Sequence, residues 1–260
     1  MEVFITVSNV HVIFGRLSEK GGGKSMVHNQ GLPYHFFQGT NQKAPILVIY
    51  HGWAGSTAGY YELAAELKEL GYTVVLPDII HHDSRGILDN YFDGQIRQRL
   101  FWETVFQTVD EFEILLADLK VNRKDILVIG SSMGGFIASS ILAKNPEIQG
   151  LVNVNGSGAF VVAEEFFRSA DGRRRMTSIE RSMLEAYDPI NYTYSGKPVL
   201  LMHGDNDHIV DSSGQYAYYA HCSSPHITFD IYNEVNHQFT DDMVEGLKSW
   251  LSKQFGSSGE

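Results

Sequence analysis

The segment Gly130-Ser131-Ser132-Met133-Gly134-Gly135 constrains the fold of this chain more than any other. It follows residues 125–129, a short apolar run typical of a buried strand, and it opens residues 135–143, an apolar stretch with helical spacing. A strand that turns directly into a helix is a recurrent feature of sheets covered by helices. The segment therefore predicts a tight strand-to-helix turn inside an α/β fold.

Small residues surround Ser132 in this turn. The residues two before and two after the turning residue must be small, because larger side chains would collide there. Gly130 and Gly134 meet this condition around Ser132, whereas the matching neighbours of Ser131 are isoleucine and methionine. The turn also points the Ser132 hydroxyl at a helix N-terminus, where developing negative charge is favoured. Ser132 is thus the predicted nucleophile.

Strand and helix patterns alternate from residue 46 onward, which predicts a mostly parallel central sheet with helices on both faces. The predicted strands are 46–50, 72–76, 125–129, 150–154, 198–202 and 227–232, and the predicted helices 60–70, 91–119, 135–143, 213–220 and 241–255. Residues 156–196 break this rhythm, and we interpret them as a helical cap insertion over the carboxyl edge of the sheet. Residues 1–260 are then a single domain.

The N-terminal part has a different pattern. Residues 3–14 and 32–37 are predicted as strands of an antiparallel hairpin, with a flexible turn at 19–25 between them. The tail at 256–260 is expected to fray.

Composition excludes several classes of partner. With 20 Lys and Arg against 31 Asp and Glu, the formal net charge is −11, which disfavours binding to nucleic acid or to an anionic membrane. No apolar run is long enough for a transmembrane helix. The single cysteine, Cys222, cannot form an intrachain disulfide, and the N-terminus lacks the pattern of a secretory signal. These features together predict a cytoplasmic protein.

A serine hydroxyl needs a base, normally a histidine oriented by a carboxylate. His237 directly follows the last predicted strand, so it can reach over the sheet edge toward the turn. His221 and His226 are expected on the surface, since one falls on or beside a helix and the other precedes a strand. His237 is the predicted base.

The carboxylate is expected in the loop after the preceding strand, because the chain order in this type of site is serine, acid, histidine. That loop offers Asp205 and Asp207. Asp207 lies deeper in the loop and is the predicted acid, while Asp205 is the alternative and can instead shape the turn. Asp211 is predicted to cap the next helix.

Acyl transfer also needs donors for the oxyanion of the tetrahedral intermediate. One predicted donor is the backbone N–H of Met133, the residue after the nucleophile. The other is the backbone N–H of Trp53, in the loop after the first buried strand, where Gly52 lets the main chain approach closely.

These motifs resemble the α/β-hydrolase superfamily over roughly residues 45–255, and they are most similar to its prolyl-oligopeptidase-related branch of small bacterial esterases. The residues that carry the resemblance are His51-Gly52, Gly130-x-Ser132-x-Gly134-Gly135, His203-Gly204-x-x-Asp207 and His237. The resemblance implies an α/β-hydrolase fold, a Ser-His-Asp triad, no metal, no cofactor and hydrolysis of carboxylic esters. A loop in those esterases often reads His-His-Gly-x-Arg-Gly, and here Asp83 replaces the glycine.

Three other motifs have simple interpretations. Gly23-Lys24-Ser25 lacks the earlier glycine of a phosphate-binding loop. His81-His82-Asp83 has no evident third metal partner, so loop hydrogen bonding is the favoured interpretation. Arg173-Arg174-Arg175 is interpreted as a solvated face, with contact to an anionic substrate as the alternative.

The sequence therefore predicts a serine carboxylesterase acting on a small-molecule ester. Two alternatives stay open: an amidase or aminopeptidase-like hydrolase, and a catalytically silent binding protein on a hydrolase scaffold.

Overall fold

A computed structural model describes residues 31–256 in full and the backbone of two short strands within residues 6–13. The predicted turn at 19–25 and all but the first residue of the predicted tail at 256–260 lie outside the described residues. The strands in the described part are β1 (Thr6–Val7), β2 (Val10–Ile13), β3 (Tyr34–Phe37), β4 (Ile46–Tyr50), β5 (Val74–Pro77), β6 (Ile126–Ser131), β7 (Gly150–Val154), β8 (Val199–Gly204) and β9 (Ile227–Tyr232). The helices are α1 (Tyr61–Glu69), α2 (Gly94–Asp110), α3 (Phe112–Leu119), α4 (Met133–Lys144), α5 (Phe160–Ala170), α6 (Ser178–Glu185), α7 (Ser213–Cys222) and α8 (Asp241–Phe255).

The described strands form one sheet in the order β1-β2-β3-β5-β4-β6-β7-β8-β9. The pairs from β5 through β9 are parallel, and β1, β2 and β3 add antiparallel pairs at one edge. The predicted mostly parallel sheet is confirmed. The antiparallel pairing of the N-terminal part is also present, although the described part of residues 3–14 forms two short strands and not one.

Helices cover both faces of the sheet, and the alternating side chains of the central strands explain how. In β4, Val48 and Tyr50 face a core that includes α2, α3 and α4, whereas Leu47 and Ile49 face a core that includes α1 and α8. All four side chains are buried. A strand buried on both faces requires apolar residues at every position, which is why the parallel strands appear as continuous apolar runs.

The predicted helix over 91–119 is wrong in two respects. It begins at Gly94, because the Asp93 side chain accepts hydrogen bonds from the first-turn amides of Gln95 and Ile96. It is also interrupted at Glu111, which ends α2 and precedes α3. The apolar periodicity runs through this break, so periodicity alone could not reveal it.

Residues 156–196 contain α5, α6 and a short 3-10 helix at Pro189–Asn191, as the helical pattern predicted. Phe160 and Phe167 pack with Phe136 of α4 and join the core on that face of the sheet. Buried Asp188 accepts the amide of Val161 and so caps the start of α5. The segment is therefore fastened to the main core.

The arginines of this segment form ion pairs within it. Arg173 contacts buried Glu164 at 2.8 Å, and Arg174 contacts Glu180 at 2.7 Å. Glu164 also accepts from Arg168. The predicted solvated face holds for Arg174, which is 64% exposed, whereas Arg173 is only 20% exposed. Arg168 of α5 also contacts Glu180 of α6 and so links the two helices.

Candidate active site

The turn between β6 and α4 has the predicted strained geometry. Ser132 has φ 54° and ψ −121°, a conformation that non-glycine residues rarely adopt. A Cβ atom on Gly130 would lie 1.9 Å from the carbonyl oxygen of Gly134, and one on Gly134 would lie 2.0 Å from that of Tyr50. Both glycines are thus required sterically, and the turn presents the Ser132 side chain at the carboxyl end of the sheet.

The Ser132 hydroxyl is directed at a histidine and not at its own helix. Serine at the residue before a helix usually caps the helix through its side chain, but Ser132 makes no such bond. Its Oγ lies 2.8 Å from Nε2 of His237, and Nδ1 of His237 lies 2.6 Å from Oδ2 of Asp207. Because the carboxylate can only accept, His237 carries its proton on Nδ1, which leaves Nε2 free to accept the serine proton.

Asp207 is a charged carboxylate that is almost completely shielded from solvent. Its side chain is 1% exposed, and its Oδ1 accepts the backbone amides of Ile209 and Val210 at 2.9 Å each. Burial alone would raise the pKa of this carboxyl, but hydrogen bonds from His203, His237 and the Val210 amide outweigh it and hold the pKa well below its usual range. Asp207 therefore faces His237 as a carboxylate.

Buried His203 supports this arrangement, and sequence reasoning did not assign it a role. Its Nε2 lies 2.9 Å from the carbonyl oxygen of Val210 and 3.4 Å from Oδ2 of Asp207. The i, i+4 spacing of His203 and Asp207 across the end of β8 was the available signal. His203 fixes the loop that presents Asp207.

Asn155, at the end of β7, joins the two loops that carry Asp207 and His237. Its Oδ1 accepts the amide of Gly204, and its Nδ2 donates to the carbonyl of Gln238 at 2.6 Å. The loop that carries His237 approaches the end of β8 closely. This approach requires glycine at position 204, since a Cβ atom there would lie 2.2 Å from the carbonyl oxygen of Val235. A buried polar residue after a strand has no distinguishing spacing, so no sequence pattern pointed to Asn155.

The other candidates lie elsewhere. Asp205, the alternative acid, accepts the amide of Glu234 in a different loop, and not an amide of its own turn as its second predicted role required. Asp211 accepts the amide of Ser213 at the start of α7. His221 contacts the carbonyl of Tyr192, and His226 is exposed, as predicted for both surface histidines.

The loop after β4 lies beside Ser132. A Cβ atom on Gly52 would lie 3.0 Å from Cβ of Ser132, so the main chain there passes within contact distance. The indole N–H of Trp53 donates to the carbonyl of Tyr91 at 2.8 Å, which fixes the residue next to Gly52. Met133 is fully buried at the first residue of α4. The backbone amides of Trp53 and Met133 thus belong to the two segments that meet at Ser132.

A second loop, residues 77–86, packs behind the first. Its Asp83 has φ 50°, a left-handed conformation that suits glycine and that aspartate tolerates. Arg85 forms a two-pronged pair with Glu111, with both N···O distances 2.7 Å. The break between α2 and α3 therefore supplies the partner that holds this loop in place.

His81 and His82 serve different contacts. His82 is fully buried, donates from Nδ1 to the carbonyl of Ile80, and accepts the amide of Ala54 at Nε2. Burial is the main cause that lowers the pKa of His82 to about 4, so the ring is neutral at pH 7. His81 lies 3.6 Å from Glu103. Within residues 31–256 no group of three His, Cys, Asp or Glu side chains could hold a metal ion.

No helix among the described residues has the length and apolar character needed to cross a bilayer.

Comparison with known proteins identifies the family of this chain. The model of the dienelactone hydrolase family matches residues 34–250. "Esterase YjfP" of Escherichia coli is 30% identical over 180 residues, which are 64% of this chain and 70% of that protein.

Solved structures share the fold. Acetyl xylan esterase 1 from Thermoanaerobacterium superposes with a TM-score of 0.65 at 17% identity, over 98% of this chain and 86% of that one. The acylaminoacyl peptidase of Pyrococcus horikoshii gives a TM-score of 0.62 at 16% identity, over 88% of this chain and 40% of that one. The predicted α/β-hydrolase fold is confirmed, and this chain belongs to the dienelactone hydrolase family.

Proposed function

We propose that this ester hydrolase works through an acyl-enzyme on Ser132, with His237 as general base and Asp207 as the carboxylate that orients it. One observation carries the proposal: Ser132 Oγ, the His237 ring and Asp207 form a continuous chain with contacts of 2.8 and 2.6 Å at a strained strand-to-helix turn. Family membership and a relative named as an esterase support ester hydrolysis.

The proposed reaction has two halves. Ser132 Oγ attacks the ester carbonyl while Nε2 of His237 takes its proton, and Asp207 stabilises the resulting imidazolium. The backbone amides of Trp53 and Met133 donate to the oxyanion. The alcohol leaves with the proton from His237, and water, activated by the same ring, then releases the carboxylic acid. The chemistry requires no cofactor.

We also propose that residues 156–196 form a cap beside the site within a single domain. A Cβ atom on Gly156 would lie 2.9 Å from the carbonyl oxygen of Ser132, so the segment begins next to the nucleophile. A cytoplasmic location stays a prediction from the lone Cys222.

The first test uses two adjacent serines. Ser132→Ala is expected to lower kcat on p-nitrophenyl acetate by about 10⁴-fold or more, because the covalent route is lost. The matched control is Ser131→Ala, which removes a hydroxyl one residue away and should keep activity within about threefold.

Labelling and substrate choice complete this test. A fluorophosphonate probe should label wild type and Ser131→Ala but not Ser132→Ala. Unlabelled, inactive wild type would support the silent binding protein, and faster turnover of aminoacyl-p-nitroanilides than of p-nitrophenyl acetate would support an amidase. Either result refutes the esterase proposal.

A further inference from the structure

We propose that His51 and Asp83 form a buried ion pair that positions the loop carrying the Trp53 amide, and so preorganises the oxyanion site. The inference rests on the proposed function, since it assigns these residues a role in that reaction. Both are positioning residues, because they act through the loop 51–57 and not on the substrate.

The contacts of His51 require a doubly protonated ring. Its Nδ1 lies 2.9 Å from the carbonyl oxygen of Gly52, and its Nε2 lies 2.8 Å from Oδ2 of Asp83. Each nitrogen thus faces an acceptor, whereas a neutral imidazole has only one N–H. The His51 side chain is 1% exposed, so water cannot enter between an unprotonated ring nitrogen and the oxygen that faces it. The imidazolium satisfies both contacts.

The contacts of Asp83 require a charged carboxylate. Its Oδ1 accepts from the amide of Thr57 at 2.8 Å and from the Thr57 hydroxyl at 3.0 Å, and its Oδ2 accepts from His51. Burial raises the pKa of this carboxyl, but the donors from His51 and Thr57 outweigh burial and lower it. Each of these three hydrogen bonds therefore places a donor against a negatively charged carboxylate.

The pair fastens both ends of one loop. His51 directly follows β4, and Thr57 begins the 3-10 helix that precedes α1, so Asp83 bridges the loop from its first residue to its last. His82, the neighbour of Asp83, accepts the amide of Ala54 in the middle of the same loop. The Trp53 amide lies between these attachments. A donor to an oxyanion is effective only when it is fixed before the charge develops.

The identity of residue 83 is informative. Its left-handed backbone favours glycine, yet this chain has aspartate. The aspartate retains an unfavourable backbone angle and supplies the charge that His51 and Thr57 require. The titratable groups packed against His51 are Asp83 and neutral His82, whose ring centroid lies 5.1 Å away.

The kinetic test is Asp83→Asn, which keeps the shape and removes the charge. We expect kcat on p-nitrophenyl acetate to fall about 10- to 100-fold while KM stays within about twofold. The reason is that the hydrogen bond from the Trp53 amide to the oxyanion forms in the transition state and not in the bound substrate. Affinity for a trifluoromethyl ketone, which forms a tetrahedral adduct on Ser132, should fall by the same factor as kcat/KM. Asp83→Gly, which suits the backbone angle, should show the same loss and serves if Asp83→Asn does not fold.

Two controls separate positioning from stability. Asp89→Asn removes a charge from an exposed residue six positions later and should behave as wild type. Tyr72→Phe removes the buried hydrogen bond to Leu251, in the core on the sheet face that α1 and α8 cover. This change should lower Tm without changing kcat. Wild-type kcat in Asp83→Asn or Asp83→Gly would overturn the proposal, whatever the change in Tm.

A second readout does not depend on activity. In ¹⁵N-histidine-labelled wild type at about pH 7, with His51 assigned through His51→Gln, both ring nitrogens should carry a proton, and Asp83→Asn should show a neutral ring. A neutral His51 in wild type overturns the ion pair. Failure of the proposed function is recognised separately, as full activity in Ser132→Ala.

Discussion

Asp207 keeps a negative charge where water scarcely reaches it, and the surrounding donors explain how. Two backbone amides, His203 and His237 all face its two oxygens. A buried carboxylate is stable only when such donors replace its hydration. The same contacts that orient His237 therefore also contribute to folding.

This coupling predicts how acid acts on the fold. The folded-state pKa of Asp207 lies below its unfolded value of about 3.9, so its contribution to stability is complete above that value and is lost as pH falls toward the lower folded pKa. Asp207→Asn lacks this titration. We expect the free energy of unfolding, measured by urea denaturation from about pH 6 to pH 3, to fall less in Asp207→Asn than in wild type. Equal slopes in the two proteins would contradict this expectation.

Among the secondary-structure elements, the contact of α4 with β4 leaves no space for a side chain. Gly134, in the first turn of α4, lies against the carbonyl of Tyr50 at the end of β4. Because the obstructing atom is backbone, relief requires the helix to move away from the sheet.

Gly134→Ala should therefore destabilise the protein by about 1–3 kcal/mol or more and reduce activity, because Ser132 shifts with the helix. The matched control is Gly94→Ala at the first residue of α2, where an added Cβ would meet nothing within 4 Å. The control should stay within about 1 kcal/mol of wild type. Urea denaturation of both variants gives the comparison, and a stable, active Gly134→Ala protein would disprove this account of the turn.

At the scale of the whole molecule, the net charge of −11 creates a field that opposes the approach of anions. Raising ionic strength from about 0.01 M to 0.15 M shortens the screening length from about 30 Å to 8 Å. We expect kcat/KM for an anionic ester such as p-nitrophenyl hemisuccinate to rise about two- to fivefold over this range. The neutral p-nitrophenyl acetate should be unaffected, and a flat response for both esters would show that no such field reaches the site.

The fold could be predicted from local sequence patterns more completely than the contacts around the site. The alternation of strand and helix patterns predicted the sheet, and the glycines around Ser132 predicted the turn. Both signals are local in sequence. The roles of Asn155 and of the break at Glu111 were missed, since they depend on partners distant along the chain. The role of His203 was missed although its partners, Asp207 and Val210, are near in sequence. The roles of Ser132, His237 and Asp207 stay predictions, although the fold brings their side chains together.

The bridge made by Asn155 has a consequence for how such a protein can change over evolution. It links the loops of Asp207 and His237 to the end of β7, so these loops belong to the rigid frame and do not serve as a movable gate. Adaptation to a new acyl or alcohol group is thereby directed to residues 156–196 and to the segment after residue 86. Those parts can diverge while the reacting groups keep their places.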